Sequence, residues 1–389
     1  MIIKQVDAFP IRMEEGSHGN VGGGVQQNVD TLGDYYISRD EWTAIYTSRH
    51  DTLVIRIETT DGMVGWGESQ APVGGRAVKE IVEQLCRPVL IGRNAFDREY
   101  LWYRMYSSMR ERGHITGFFV DALAGIDIAL HDLIGKALGL PVYRLLGGKM
   151  RDEIELYIGI SNLDSAALAE MAAEHVALGY RAFKLHLRFP SNRQLIEYVS
   201  AVRDEVGPDI GLMLDIHTTR DVSGAIGLGR GLEALDVMWL EAPIAPEDVR
   251  WHAEVAAALD LRIATGEWLR TSWEWRQWID LQGFDVAMPD IARTGLSEGK
   301  RIAALCDAYN KPISPHIGGG GILSVAASIH YSAIPNFQTL EHAHRPLPIK
   351  ARIASKYPEP KNGAFHLDET PGLGVEIDEK VLERFTYGR

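Results

Sequence analysis

The sequence predicts an α/β fold: a modified (β/α)7β TIM-type barrel with an α+β capping domain at its N-terminal end. Three observations carry this reading. Short apolar runs recur near 156–160, 181–187, 211–216, 237–240, 262–265, 284–288, 312–314 and 337–340. Helical patterns at 165–177, 193–206, 251–258 and 298–309 lie between them, and the repeat of about 24–30 residues is that of parallel strands joined by crossover helices. Before residue 130 the rhythm differs, with hairpin signals first and helical periodicity later. A doubly wound parallel sheet shares the βα rhythm and stays open as the alternative.

In chain order, alternation over 2–9 predicts a first strand, and 52–58 with 64–68 predicts a hairpin turned by Thr60-Asp61-Gly62. Between them, residues 18–36 are rich in glycine and polar residues and read as a long loop without structure. That length suits a lid or binding element, with Gly22-Gly23-Gly24 as its hinge. Helices are expected at 78–90, 96–109 and 117–138, the last closed by Gly139 and Pro141, and the loop at 110–115 is a second lid candidate. The tail holds turn-rich strands and a terminal helix rather than another βα unit. The expected division is a cap over 1–130 with its specificity loop at about 18–36, a barrel over 131–364, and a segment 365–389 returning to the cap.

A chain of 389 residues exceeds what one hydrophobic core serves. The two cysteines, Cys86 and Cys306, exclude a disulfide scaffold and a thiolate metal cluster, and fit a reducing compartment. The start lacks the pattern of a signal peptide, and no stretch reaches the roughly 18 apolar residues of a membrane helix. Cytoplasmic residence is expected. The net charge of −13 repels nucleic acid and anionic lipid, so neither is an expected partner. A small anionic substrate then needs a local reversal of sign, which a hard cation held by carboxylates supplies.

The polar residues that close the apolar runs carry the chemistry, because C-terminal strand ends form the mouth of such a barrel. Lys184 and His186 close the second run and share one face by strand periodicity, as do Asp215 and His217 on the third. Glu241 closes the fourth run, Glu267 the fifth; Asp290, His316 and Glu341 follow. Asp215, Glu241 and Glu267 stand 26 residues apart each time, one carboxylate per βα unit. Three such carboxylates repel one another unless a cation joins them, and all-oxygen ligation points to Mg²⁺, with Mn²⁺ as a substitute. Asp290 and His316 on consecutive strand ends permit an Asp–His pair that fixes the imidazole tautomer.

These residues resemble the enolase superfamily in its mandelate racemase/muconate lactonizing enzyme branch, over essentially the whole chain. Lys184-Leu185-His186 stands where that branch has its lysine motif. Asp215, Glu241 in LEAP and Glu267 in TGE match its metal carboxylates, Asp290 and His316 its Asp–His dyad, and Glu341 its glutamate on the eighth strand. His186 replaces the second lysine of the usual Lys-x-Lys pair, and His217 follows the metal aspartate as in the sugar-acid dehydratases of the branch. The resemblance implies a Mg²⁺-dependent enzyme on a small carboxylate substrate and a homo-oligomer, dimer or octamer.

The implied reaction removes the α-proton of the acid to give an enediolate. Loss of the β-hydroxyl then yields a 2-keto-3-deoxy acid; epimerisation and cycloisomerisation are the other outcomes. Three histidines beside Lys184 suit a polyhydroxy aldonate or aldarate. His316 is expected as the α-proton base, His217 as the acid for the departing hydroxyl, Lys184 as an electrostatic clamp or as the base for the opposite configuration, and Glu341 as a hydrogen-bond partner of the intermediate. The role of His186 stays open, and so does a non-catalytic binding protein on the same fold. A metal-dependent hydrolase is disfavoured, since it uses histidine ligands and an activated water.

Overall fold

The computed structural model describes residues 1–14, 29–38, 44–47, 49–160, 164–187, 191–342 and 347–388. Strand Ile3–Glu14 runs antiparallel to Arg49–Thr59, which pairs with Val64–Ser69 to complete a three-stranded cap sheet. Helix Phe118–Leu138 lies across this sheet. Gly65 and Gly67 let it approach so closely that a Cβ at either would meet the backbone of Ala129.

Residues 29–36 correct the expectation of a structureless loop. Val29–Leu32 pairs with Tyr35–Ser38 across a two-residue turn at Gly33-Asp34, and Ile45–Tyr46 adds a third strand. Gly33 takes a φ of 63°, so Gly-Asp is a hairpin signal hidden inside a polar stretch. Asp34 pins the hairpin to the cap, 2.6 Å from Arg12 and 3.0 Å from Arg49. The rest of the expected lid, 18–28 with its three glycines, lies outside the described residues. At the second lid candidate, Arg110–Arg112 forms a short 3₁₀ turn.

The barrel strands are Glu153–Ile160, Ala182–His186, Gly211–Asp215, Val237–Glu241, Ile263–Thr265, Val286–Ala287 and Leu340–His342, parallel to their neighbours. The seventh position is held by single parallel bridges from Ile313 to Ala287 and to Phe337. Leu340–His342 pairs with Glu153–Ile160, closing the ring. Crossover helices include Ser165–Ala177, Asn192–Val206, Val249–Ala258 and Ile291–Ala308. The last begins well before the periodic run at 298. Asp290 caps it, accepting from the Ala292 amide at 3.0 Å, and Gly295 interrupts it at a φ of 74°, which scrambles the periodicity in between.

Inside the barrel, Tyr157, Met213, Trp239, Ala264, Val286 and Met288 form a buried layer. The tail places helix Glu379–Phe385 near the first cap strand. The Tyr387 amide donates to the Pro10 carbonyl at 3.0 Å, and Arg12 stacks 4.3 Å over the Tyr387 ring. Among the described residues no helix is long and apolar enough to cross a membrane.

Candidate active site at the barrel mouth

Register explains how the strand ends converge. His186 pairs with Asp215 and Asp215 with Glu241, so all three stand at one level on adjacent strands. Lys184, Met213 and Trp239 occupy the level beneath. Lys184 is therefore fully buried and reaches upward from below, its ammonium 2.8 Å from Glu241 and from Glu341 and 3.8 Å from Asp215. Burial works against its charge, yet Glu241 and Glu341 hold the ammonium well above its ordinary range. Lys184 is thus pinned between Glu241 and Glu341 beneath the strand ends.

Glu267 leaves the fifth strand through Gly266, at a φ of 117°; a Cβ there would run into Trp275. On the far side of the mouth His316 is gripped at both nitrogens, Nδ1 by Asp290 and Nε2 by Glu267, each at 2.8 Å. Burial opposes the charge on His316, but Glu267, Glu341 and Asp290 carry it well above the usual imidazole range. The expected Asp290–His316 pair forms. Glu341 lies between the two cations, 2.8 Å from Lys184 and 3.8 Å from His316 Nε2, and accepts from the Ile317 amide at 2.9 Å. Its carboxyl resists the upward push of burial and is held below its usual range by Lys184 and His316.

The third strand ends in strained backbone. His217 and Thr218 take left-handed φ values of 47° and 61°, and Ala242, next to Glu241, takes 43°. Such conformations cost on the order of 1 kcal/mol each and persist only where surroundings enforce them. Here the His217 amide donates to Asp215 at 3.0 Å, and the Thr218 amide to the Ala242 carbonyl at 2.6 Å. The turn folds His217 back over Asp215, Nδ1 to Oδ1 3.3 Å, beside His186. Burial and the neighbouring His186 pull His217 down to about 4, although Asp215 pulls the other way. His186 Nδ1 stands 3.3 Å from His217 Nε2, close enough for the two rings to share a proton.

His186, Asp215 and His217 each offer a ligand atom within 4.8 Å of the others, so this triad at one corner of the mouth can hold a metal ion. Asp215 is its buried member and its oxygen donor, the type a hard cation prefers. Burial pushes the Glu241 carboxyl up to about 8, against the pull of Lys184 and with the charges of Asp215 and Glu341 adding to the push. Glu267 also feels Asp215. The three carboxylates thus share one electrostatic neighbourhood. A separate groove of about 630 Å³, bordered by Val222, Ile226, Arg230 and Trp251, lies on the outer helices and includes none of these residues.

Sequence reasoning missed the residues by which the cap reaches the mouth. Glu68, wholly buried at the end of a cap strand, accepts from the Thr52 hydroxyl (2.5 Å) and from the amides of Gly321, Leu323 (3.1 Å) and Ser324 (3.0 Å). It thereby caps barrel helix Ile322–Tyr331, which has no side-chain cap from its own N-cap residue. Gln70 accepts from Arg293 at 2.6 Å, and a Cβ on Gly318 would meet the Gln70 amide at 2.5 Å. Asp127 accepts from the Ser297 amide and hydroxyl, and Asp121 holds Arg270 at 2.7 Å, just past Glu267. The run Gly318–Gly321, two residues beyond His316, was the available signal, since four glycines in a row mark close approach of other groups.

Comparison with known proteins agrees with this architecture. Residues 34–147 match the mandelate racemase/muconate lactonizing enzyme N-terminal domain, and 167–381 match the enolase C-terminal domain-like family. A D-xylonate dehydratase of Haloferax volcanii is 32% identical over 364 residues, covering 88% of this chain and 87% of the relative. A D-galactarolactone cycloisomerase of Agrobacterium fabrum is 31% identical, with 87% of this chain and 92% of the relative covered. A crystal structure of an enolase superfamily member from Agrobacterium tumefaciens superposes with a TM-score of 0.91 at 27% identity, covering 98% of both chains. With both halves of the chain matched and the acid, base and metal-type residues gathered at one barrel mouth, the protein is an enzyme of the lyase or isomerase type that belongs to the enolase superfamily, in its mandelate racemase/muconate lactonizing enzyme branch.

Proposed function

We propose that the protein dehydrates a polyhydroxy sugar acid, an aldonate or aldarate, to a 2-keto-3-deoxy acid. The observation that carries this reading is the pairing of proton-handling groups across the mouth, His316 with Asp290 on one side and His217 with His186 on the other. Dehydration needs a group to take the α-proton and a second group to hand a proton to the departing β-hydroxyl. The two dehydratase and cycloisomerase relatives act on sugar acids or their lactones, by their names, which supports that substrate class.

Asp215, Glu241 and Glu267 would hold Mg²⁺, or Mn²⁺ in its place, and the ion would supply positive charge where the substrate carboxylate gains negative charge. To act as a base His316 must first lose to solvent the proton it shares with Glu267 at Nε2, while Asp290 keeps Nδ1 protonated and raises the ring's basicity. Nε2 then takes the α-proton. Lys184, fixed by Glu241 and Glu341, adds cationic charge from below. His217 delivers the proton to the hydroxyl, resupplied through His186. Cycloisomerisation is the second reading, favoured by the galactarolactone relative; there an internal oxygen leaves in place of hydroxide.

The test incubates purified protein and Mg²⁺ with a library of aldonic, aldaric and uronic acids and their lactones, in light and heavy water. Formation of a 2-keto-3-deoxy acid supports dehydration. Inversion with α-deuterium and no keto acid, or turnover of lactones alone, would replace it with an epimerase or a cycloisomerase.

A further inference from the structure

We propose that His186, Asp215 and His217 form a softer second metal site that takes Zn²⁺ or a neighbouring transition ion and competes with Mg²⁺ for Asp215. The inference rests on the reading of Asp215 as a Mg²⁺ ligand.

The donor set is the first argument. Mg²⁺ is hard and takes oxygen ligands, whereas two imidazoles and one carboxylate suit Zn²⁺, Co²⁺ or Ni²⁺, whose affinity for nitrogen sites far exceeds that of Mg²⁺. The spacing is the second. An ion bound tetrahedrally at about 2.0–2.1 Å puts its ligand atoms about 3.3–3.4 Å apart. His186 Nδ1 lies 3.3 Å from His217 Nε2 and 3.4 Å from Asp215 Oδ2. The ring centroids are 5.4 Å apart with planes 12° from parallel. That separation is what two ring radii plus the 3.3 Å contact add up to, so the rings meet edge to edge, nitrogen facing nitrogen. Turning each imidazole by about 35° in its plane aims both lone pairs at one tetrahedral centre. The third argument is the backbone: the enforced left-handed turn at His217 and Thr218 already places one imidazole over Asp215, so the ion has side-chain turns but no backbone rearrangement to impose.

Both metals cannot use Asp215 freely at once. A transition ion in the triad would also occupy the nitrogens of His186 and His217, so it would act as an inhibitor that removes a Mg²⁺ ligand and the proton-handling pair together.

The experiment titrates chelator-treated full-length protein with Co²⁺, whose low-coordinate imidazole complexes absorb visible light much more strongly than its all-oxygen octahedral ones. The expected result is an intense visible band that Zn²⁺ abolishes by displacement, with a midpoint that rises as Mg²⁺ is added. His186→Asn and His217→Asn should each weaken Co²⁺ binding by at least about 100-fold, the upper end of what loss of a merely supporting group costs. Thermal melts of both variants confirm that they are folded, and Ser223→Ala, on an outer helix, serves as the control that keeps the band. An unchanged band in His186→Asn, or a weak octahedral spectrum in the parent protein, would overturn the proposal. Glu267→Gln separates it from the reading beneath. There the Co²⁺ band should persist while Mg²⁺ no longer shifts its midpoint; if Mg²⁺ still shifts it, the three-carboxylate assignment fails and the softer site stands.

Discussion

Replacing Glu68 by Gln changes one atom and tests whether the cap holds the barrel mouth in place. In the parent, Oε1 accepts from the Thr52 hydroxyl and the Gly321 amide, and Oε2 from the amides of Leu323 and Ser324. All four partners are donors, so the site is built for the ionised carboxylate, although burial pushes that carboxyl above its ordinary range. An amide keeps one oxygen and turns an NH₂ group toward two donors. Two hydrogen bonds to a charged acceptor are lost, at about 1.5–3 kcal/mol each, or about 3–6 kcal/mol. Relief from burying a charge returns part of this, on the order of 1–3 kcal/mol. The net expectation is a loss of about 2–4 kcal/mol. Urea unfolding followed by tryptophan fluorescence and circular dichroism reads it, and coincidence of the two transitions licenses the free energy. Hydrogen exchange at Leu323 and Ser324 should quicken as well. A stability change within about 0.5 kcal/mol, the range of an ordinary surface substitution, together with unchanged exchange, would refute the reasoning.

His316→Asn should keep fold and metal binding while lowering turnover by roughly 10²–10⁴-fold, the contribution typical of a general base. Solvent deuterium incorporation at the α-carbon should vanish with it; NMR showing exchange at the parent rate, and its loss in a Lys184 variant instead, would reverse the two roles. Acid should destabilise the fold through two buried histidines away from the mouth. Burial pulls His252 and His330 down to about 4 against the ordinary 6.5, so both are neutral when folded and the unfolded chain binds more protons. Their contribution is complete above about pH 6.5 and is lost as pH falls toward 4, by about 3 kcal/mol each at the limit. His330→Gln in a pH series of urea melts should flatten that slope, and an unaltered slope would remove His330 from the account.

How legible the site was depended on whether its partners lie on neighbouring strand ends. Asp215, Glu241 and Glu267 announce themselves because the βα repeat sets their spacing, and the residue closing each apolar run faces the mouth by construction. The Asp290–His316 pair was readable for the same reason. Glu68, Asp121 and Asp127 were not, since each meets a barrel group some 150–260 positions away in sequence, and nothing in local periodicity marks a carboxylate destined for a distant helix terminus. The level of Lys184 below the metal-type carboxylates follows from register, which only the paired strands reveal. Local irregularities hid other elements, as the Gly33-Asp34 turn did the hairpin and Gly295 the start of its helix.

The acids that the cap lends to the barrel bear on how such proteins could be recombined. Helix Ile322–Tyr331 takes its terminating charge from Glu68, and the helix segment after Gly295 takes its own from Asp127. Asp132 does the same for the returning tail, accepting from the Leu373 amide at 2.9 Å while also holding Trp66 of the cap sheet at 2.8 Å. The barrel is therefore incomplete as a stand-alone piece. A chimera that grafts a relative's cap onto this barrel to import a new specificity must carry Glu68, Asp121, Asp127 and Asp132, or supply an acid at each of those places. Whole caps in this architecture are not interchangeable parts.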